Sequence, residues 1–326
     1  MSERTRKVFF NGEFVDENMA NLSIYDSALM FGDMVFEMTR SFNKNQFMLE
    51  EHIDRLLYGL KIFRIDIPYT KNNLIDFCHE TMSLNDPLFN KDDEHRLMID
   101  VSRGILGLYH SVKGIHKGPN VIIADFPLRW TVAGMGKLFK LGINAHVVSQ
   151  RTSSQMIDPK IKNRSRVHYL MANIEASSSQ EENSWALMLD LDGNIAEGSG
   201  DNFFIIKDGV VITPEPRNIL RGISRDYVIN SLCNELGIEV IERNIEQYDV
   251  YTADEAFMTA TPFCMLPVTK INGIDIADGK PGSIFTSLLN HWSTNVGLQI
   301  DQQIILWDQT NNQEIKAPTP YSFKKK

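Results

Sequence analysis

The sequence predicts a two-domain α+β chain, on three observations. Residues 1–128 alternate strand-like hairpins with an amphipathic helix. Residues 129–140, within "PLRWTVAGMGKLFKLG", carry the Pro and Gly residues of a connection. Residues 141–326 change to a strand meander punctuated by Asp-Gly turns and interleaved with helices. The expectation is a small N-terminal α+β domain, an interdomain loop and a larger C-terminal domain. The 326 residues are ample for a sizeable core.

The elements follow in order. "KVFFNGEFV" reads as a hairpin turning at Asn-Gly, the dipeptide that accepts positive φ at both turn positions. "MVFEMTRSFNKNQFMLE" reads as a second pair turning at Asn43–Asn45. "EEHIDRLLYGLKIFRI" sets Ile53, Leu56, Leu57 and Leu60 on one helical stripe. "LMIDVS" and "NVIIADF" are strand-like. In the second half, "GINAHVVSQ" is a strand, and Val167, Leu170, Met171 and Ile174 fall at helical spacing. "WALMLDLDGNIAEGSGDNFFIIKDGVVITP" is a meander turning at Asp192 and Asp208. "ISRDYVINSLCNELG" is a helix, with Ser224 as N-cap and Gly237 as its stop. "IEVIERNI" and "EAFMTATPF" are further strands, and "GSIFTSLLNHWSTNVG" is a last helix.

Composition narrows the function. Apolar residues at 43% and charged residues at 23% are ordinary for a soluble domain. A net charge of -9 argues against nucleic acid or an anionic membrane as partner. The closing "FKKK" reads as a solvated tail. Cys78, Cys233 and Cys264 are far apart and fit neither a disulfide framework nor a CxxC metal pattern, so a reducing, cytoplasmic setting and no metal are expected. No stretch is long and apolar enough for a signal peptide or a bilayer span.

Five short stretches carry candidate chemistry. "DPKIKN" puts Lys160 and Lys162 ahead of a helix. "AEGSGDN" holds Glu197 at a strand end before a tight turn. "LRGIS" opens a helix with a glycine and exposed amides, a setting that attracts phosphate. "TATPF" offers a hydroxyl just past a strand. "EHIDRL" projects Arg55 from a helix, where a guanidinium can pair with phosphate. Each alone is equally well a solvated charge, a hairpin acid or a capped helix.

In this order the set resembles the fold type IV pyridoxal-phosphate enzymes, the class IV aminotransferases. The likeness runs from "YDSALMFGDMVFEMTRSF" through "LEEHIDRL", "DPKIKN" and its following Glu175-Ala176, "IAEGSGDNFF" and "LRGISRD" to "DEAFMTATPFCMLPV". It implies a two-domain mixed fold whose larger domain has a barrel-like core. It implies pyridoxal 5'-phosphate as cofactor, an amino acid and a 2-oxo acid as substrates, and a homodimer in which each site borrows the partner's loop, here Gly104–His110. The family's cofactor lysine precedes the Glu-Ala pair by a fixed distance, which selects Lys162 and leaves Lys160 as its solvated neighbour. Arg164 and Arg166 are cations close in sequence, of the kind that favour a neutral amine.

The same resemblance assigns the remaining positions. Glu197 matches the acid that pairs with the pyridine nitrogen. Arg55, Ile223, Ser224 and Thr261 match the phosphate contacts. Leu220 matches the apolar residue against the ring, and Arg151 an arginine behind it. Phe31 and Phe36 match pocket aromatics, and Arg40, Arg96, His110 and Pro262 fall at substrate-binding positions. Branched-chain enzymes carry a tyrosine five residues past the lysine, where this chain has Val167. D-amino acid aminotransferases carry an Arg-x-His trap in the loop after "RG", where Leu108 replaces the arginine. The reading that follows is a branched-chain L-amino acid aminotransferase using 2-oxoglutarate. A D-amino acid or (R)-amine transaminase and aminodeoxychorismate lyase are the alternatives. A non-catalytic nucleotide-binding protein is the alternative from another class; it leaves Lys162 and Glu197 without a use, and the chain has neither a P-loop nor GxGxxG.

Overall fold

The computed structural model describes residues 5–310, so the "FKKK" run lies outside the described residues. The chain divides into two compact units, Met1–Trp130 with Ile161–Arg166, and Thr131–Lys160 with Val167–Lys326.

The first unit is built on a five-stranded sheet. Strands β1 (Lys7–Phe10) and β2 (Glu13–Asp16) form the first hairpin, and Asn11 and Gly12 at its turn have φ of 53° and 103°. A short helix α1 (Ser27–Phe31) precedes β3 (Met34–Met38), a two-residue hairpin β4 (Ser41–Phe42) and β5 (Asn45–Gln46), and helix α2 (Leu49–Phe63). Helix α3 (Lys71–Asn85) and strands β6 (His95–Ser102) and β7 (Asn120–Pro127) complete the unit, in sheet order β2-β1-β7-β6-β3.

The sequence predicts one hairpin across 34–50. Instead β3 pairs along its length with β6, and the hairpin shrinks to β4–β5, whose turn amides Asn43 and Lys44 donate to the buried Glu94 carboxylate at 2.8 and 3.0 Å. Helix α3 went unanticipated. Its buried Leu74, Cys78 and Met82 alternate with Thr81 and Asn85, which blunts the amphipathic signal, although the Thr70–Asn73 capping box marks its start.

Alternation along β3 and β6 separates two faces. Val35, Leu97, Ile99 and Val101 join Ile53, Leu56 and Leu60 of α2 in the core. The opposite face carries Phe36, Arg96 and Asp100, with Phe36 directly across from Asp100. Gly59 lets α2 approach β3, because a Cβ there would sit 2.7 Å from Val35 Cγ1.

The second unit opens with helical turns around the connection, α4 (Arg129–Val132) and α5 (Leu138–Leu141), rather than an irregular loop. Strands β8 (Ile143–Arg151), β9 (Ser184–Leu189), β10 (Ile195–Gly198), β11 (Asn202–Lys207), β14 (Glu255–Ala260) and β15 (Cys264–Ile271) follow. Their pairings run β10-β9-β8-β15-β14-β11, and a β10–β11 pair joins the two ends into a closed, barrel-like ring. Strands β12 (Val210–Thr213), β13 (Val240–Glu242) and β16 (Ile274–Asp275) extend it. Pairs β8–β9, β8–β15 and β12–β13 are parallel and the others antiparallel, which makes the sheet mixed.

Helix α6 (Val167–Ser177) lies against β8 and β9. Its buried residues are Tyr169, Ala172, Asn173 and Ala176, whereas Val167, Met171 and Ile174 of the apolar stripe are exposed. Ala172 and Ala176 on that buried face leave room for the helix to lie close to the ring. Glu175 fixes that approach by accepting from the amide and hydroxyl of Ser149 at 2.8 and 2.6 Å.

The expected 223–237 helix forms as α7 (Ile223–Tyr227), a π-helical stretch at Val228–Cys233 and α8 (Asn234–Leu236), with Gly237 in the left-handed region at its end. Its N-cap is Gly222 and not Ser224, which lies inside the first turn; a Cβ at 222 would overlap Asn202 Oδ1. Helices α9 (Gln247–Tyr251), α10 (Ser283–Val296) and α11 (Ile300–Thr310) complete the unit. Among the described residues no helix is long and apolar enough to cross a membrane.

Candidate active site

The lysine segment takes its place through backbone pairing. Within the first unit, β3 is the sheet edge, and residues 162–164 add to it. Phe36 N–H donates to Lys162 O and Arg164 N–H to Met34 O, both at 2.9 Å, with a bridge between Val35 and Asn163. An edge strand carries unpaired N–H and C=O groups, so this docking satisfies them while fixing the Lys162 backbone. Lys162 Nζ lies 4.9 Å from the centre of the buried Phe36 ring, which Arg164 and Arg166 also overlie at 3.8 and 5.7 Å. Phe36 is thus a platform beneath three cationic side chains. Lys160, expected as the solvated neighbour of Lys162, is part-exposed and has partners of its own. Its ammonium holds Asp158 and the carbonyl of Arg217, each at 2.8 Å.

Beside that platform lies a cluster of arginines. Arg164 forms a two-pronged pair with Asp100 at 2.8 and 3.1 Å. Arg40 is buried, stacked 3.8 Å over Phe42. Arg96 is also buried, with one amino group 3.5 Å from Met38 Sδ, while its Nε and Nη1 have no hydrogen-bond partner among the described residues. Burial, and then the charges of Arg40 and Arg164, push Arg96 below the usual guanidinium range. Buried donors left unpaired cost free energy that an incoming carboxylate recovers.

Arg55, on α2, pairs with Glu37 of β3 through two hydrogen bonds of 2.6 and 2.8 Å. The Glu37 side chain is fully buried, and its second oxygen also meets His52 Nδ1 at 2.8 Å. Burial works against the Glu37 charge, but Arg55 and then His52 outweigh it and hold the carboxyl well below the usual range. For His52, burial prevails and favours the neutral ring, and the nearby charges of Arg55 and Lys162 act in the same direction. Glu37 and His52 were not singled out from the sequence, although Glu37 is the one acid in the apolar run "MVFEM".

In the second unit, Glu197 of β10 is buried. Its Oε1 accepts from the Tyr169 hydroxyl at 2.9 Å, and its Oε2 from the Leu220 amide at 2.8 Å. Asn202 Nδ2 reaches the Leu220 carbonyl at 2.9 Å and lies 3.4 Å from Glu197 Oε2. Ile223 and Ser224 fill the first helical turn, where N–H groups lack intrahelical acceptors. Thr261 and Pro262 form the β14–β15 turn, which Cys264 closes with φ of 64°. Two residues back, Thr259 Oγ1 is buried without a partner among the described residues. Arg151 instead turns Nη1 onto the carbonyls of Val148, Ser149 and Gln150 at 2.7, 2.8 and 3.1 Å.

The structure therefore gathers Lys162, Phe36, Arg40 and Arg96 in one unit, and Glu197 and Leu220 in the other. Phe31 and His110 are exposed on the first unit and join neither group. Arg103 is structural, bonded to Asp33 at 2.6 Å and to the Phe63 carbonyl at 2.7 Å.

Comparison with known proteins gives this geometry its family. A family model described as amino-transferase class IV matches residues 34–271. The chain is 38% identical over 284 residues to a putative branched-chain-amino-acid aminotransferase of Methanocaldococcus jannaschii, covering 86% of this chain and 93% of that one. The solved Escherichia coli branched-chain amino acid aminotransferase aligns with a TM-score of 0.79 at 30% identity, over 90% of this chain and 95% of that one. A T.th. branched-chain amino acid aminotransferase, solved with pyridoxamine 5'-phosphate, gives a TM-score of 0.79 at 27% identity, over 90% and 94%. The chain, with its lysine on a sheet edge and its buried glutamate on a closed ring of strands, belongs to the class IV aminotransferase family.

Proposed function

We propose that the protein is a pyridoxal 5'-phosphate-dependent aminotransferase moving the amino group of a branched-chain L-amino acid to 2-oxoglutarate. The observation that carries the acceptor is Arg96, a buried guanidinium with two donors that have no hydrogen-bond partner among the described residues. The cofactor reading rests on the matched family and on a donor set that suits it. Glu197 is a buried acid oriented by Tyr169 and Leu220, a group suited to pair with a cationic nitrogen. The Thr259 hydroxyl, two residues before Thr261, is buried without a partner among the described residues, and the first-turn amides of α7 suit a phosphate.

When bound, the cofactor supplies an aldehyde that links covalently to amines and a ring that takes up the electrons released at the substrate Cα. Lys162 is the amine that would hold the aldehyde, and its Nζ would take the Cα proton of the donor as base and give it back as acid. Glu197 would face the ring nitrogen. Ile223, Ser224 and Thr261 would bind phosphate, a role the family resemblance also gives Arg55, and Leu220 would lie against the ring face. Phe36 walls the site, and Arg96, with Arg40, orients the acceptor's second carboxylate.

The same reading makes the protein a cytoplasmic homodimer working in branched-chain amino-acid biosynthesis without nucleic acid. Three buried free thiols suit a reducing compartment. Exposed Ile24, Leu29, Phe31 and Leu108 form apolar surface on the first unit, as a dimer face would.

Mixing holoenzyme with L-leucine, L-glutamate, D-alanine, (R)-1-phenylethylamine and aminodeoxychorismate tests the donor. L-leucine and L-glutamate should bleach the cofactor band fastest, and Lys162→Ala should abolish transfer. Faster bleaching by D-alanine or the amine, or pyruvate release from aminodeoxychorismate, overturns the substrate assignment.

A further inference from the structure

Each oxygen of Glu197 accepts a hydrogen bond from a different element. Leu220 N–H donates to Oε2 at 2.8 Å, and the Tyr169 hydroxyl donates to Oε1 at 2.9 Å. Tyr169 reaches it from the buried face of α6, two residues after Val167, which is 70% exposed. The phenol is itself buried. It packs with Val148, Ala172, Ala176, Ala186 and Met188, and its ring lies 4.0 Å from that of His168. One carboxylate oxygen is therefore bonded to a helix and the other to the strand-to-helix connection carrying Leu220, so the plane of the carboxylate is set before any ligand arrives. A charge-assisted bond from a rigid donor is both strong and directional.

We propose that Tyr169 is a positioning residue, which sets the Glu197 carboxylate for the protonated ring nitrogen of the cofactor. The assignment deepens the function proposed above and rests on it. Tyr169 touches no reacting atom; it acts through Glu197. Tyr169→Phe keeps the ring and deletes only the donor. Glu197 then loses the bond that fixes Oε1, and ligands that pair with it bind less tightly.

The test is a double-mutant cycle on pyridoxamine 5'-phosphate binding to the apoprotein, followed by fluorescence. This form of the cofactor needs no covalent link, so Lys162 does not enter. Y169F should weaken binding about tenfold, as loss of a hydrogen bond to a charged group does, and by threefold or less (roughly) in an E197Q background. Affinity within about twofold of wild type, or an equal loss in both backgrounds, overturns the proposal, since a merely structural tyrosine acts independently of Glu197. Should Y169F fail to fold, 3-fluorotyrosine at position 169 keeps ring and hydroxyl but makes the phenol more acidic. It should move the absorption maximum of bound pyridoxamine 5'-phosphate, and an unmoved maximum overturns the proposal. If wild-type apoprotein fails to bind pyridoxamine 5'-phosphate, the function itself is wrong; if it binds but Y169F behaves as wild type, only the role of Tyr169 fails.

Discussion

Arg55 and Glu37 face each other in a two-pronged ion pair, 2.6 and 2.8 Å long, with the glutamate fully buried and His52 on its second oxygen. Removing one partner of such a pair leaves an uncompensated charge and costs about 3–5 kcal/mol. Glu37→Gln should lower stability by that order at pH 7. The sign of the pH dependence follows from the depressed carboxyl. Its contribution is present above the unfolded-state value near 4.5 and is lost as pH falls through the lower folded value. Urea melts of wild type should weaken as pH drops below that point, and melts of the variant should weaken less. Parallel pH profiles would contradict the pairing.

Arg96 presents the opposite case, a buried cation with donors unpaired among the described residues. Arg96→Met removes the charge while keeping an elongated side chain. The apoprotein should melt roughly 2 °C or more higher. The KM for 2-oxoglutarate should rise about tenfold or more, with the KM for L-leucine little changed. A lower melting temperature together with an unaltered acceptor KM would remove Arg96 from the substrate site.

His95 lies between Asp125 at 2.8 Å and Asp86 at 3.0 Å. Burial opposes its charge, but Asp125 and then Asp86 outweigh it, and the imidazole is raised above 6.5. A group raised on folding stabilises fully below its unfolded value and ceases to do so as pH climbs through its folded value. NMR titration should place His95 above a model histidine, and His95→Asn should flatten the loss of stability on the alkaline side. A midpoint at or below that of the model compound contradicts the network.

Burial pushes the Cys233 thiol up to about 12 and Cys78 higher still, and Cys264 is also buried. Thiolate is the reactive form. Ellman's reagent should find the native protein unreactive and all three thiols available after denaturation. Rapid reaction of any one in the native state would contradict its placement.

Sequence alone made much of this legible where a local rule sufficed. The turn at Asn11-Gly12 and the helix stop at Gly237 follow from backbone freedom. The two faces of β6 are already in "HRLMIDVS", where Arg96 and Asp100 alternate with Leu97, Ile99 and Val101. What escaped depends on tertiary partners. Tyr169 lies on a helix whose obvious apolar stripe is exposed, and only packing against β8 and β9 turns it inward. Glu37 is one acid in a strand until α2 brings Arg55 and His52 to it. Lys160 looks solvated until residue 217 offers a carbonyl. The hairpin expected across 34–50 divided because pairing with β6, some sixty residues away, outcompeted local pairing.

The central claim is that Lys162, and not Lys160, is the amine that bonds the cofactor. Borohydride reduction of the pyridoxal 5'-phosphate-loaded protein, followed by proteolysis and mass spectrometry, tests it most directly. The phosphopyridoxyl mass should fall on Lys162 alone. A label on Lys160, on another lysine, or on none would contradict the account.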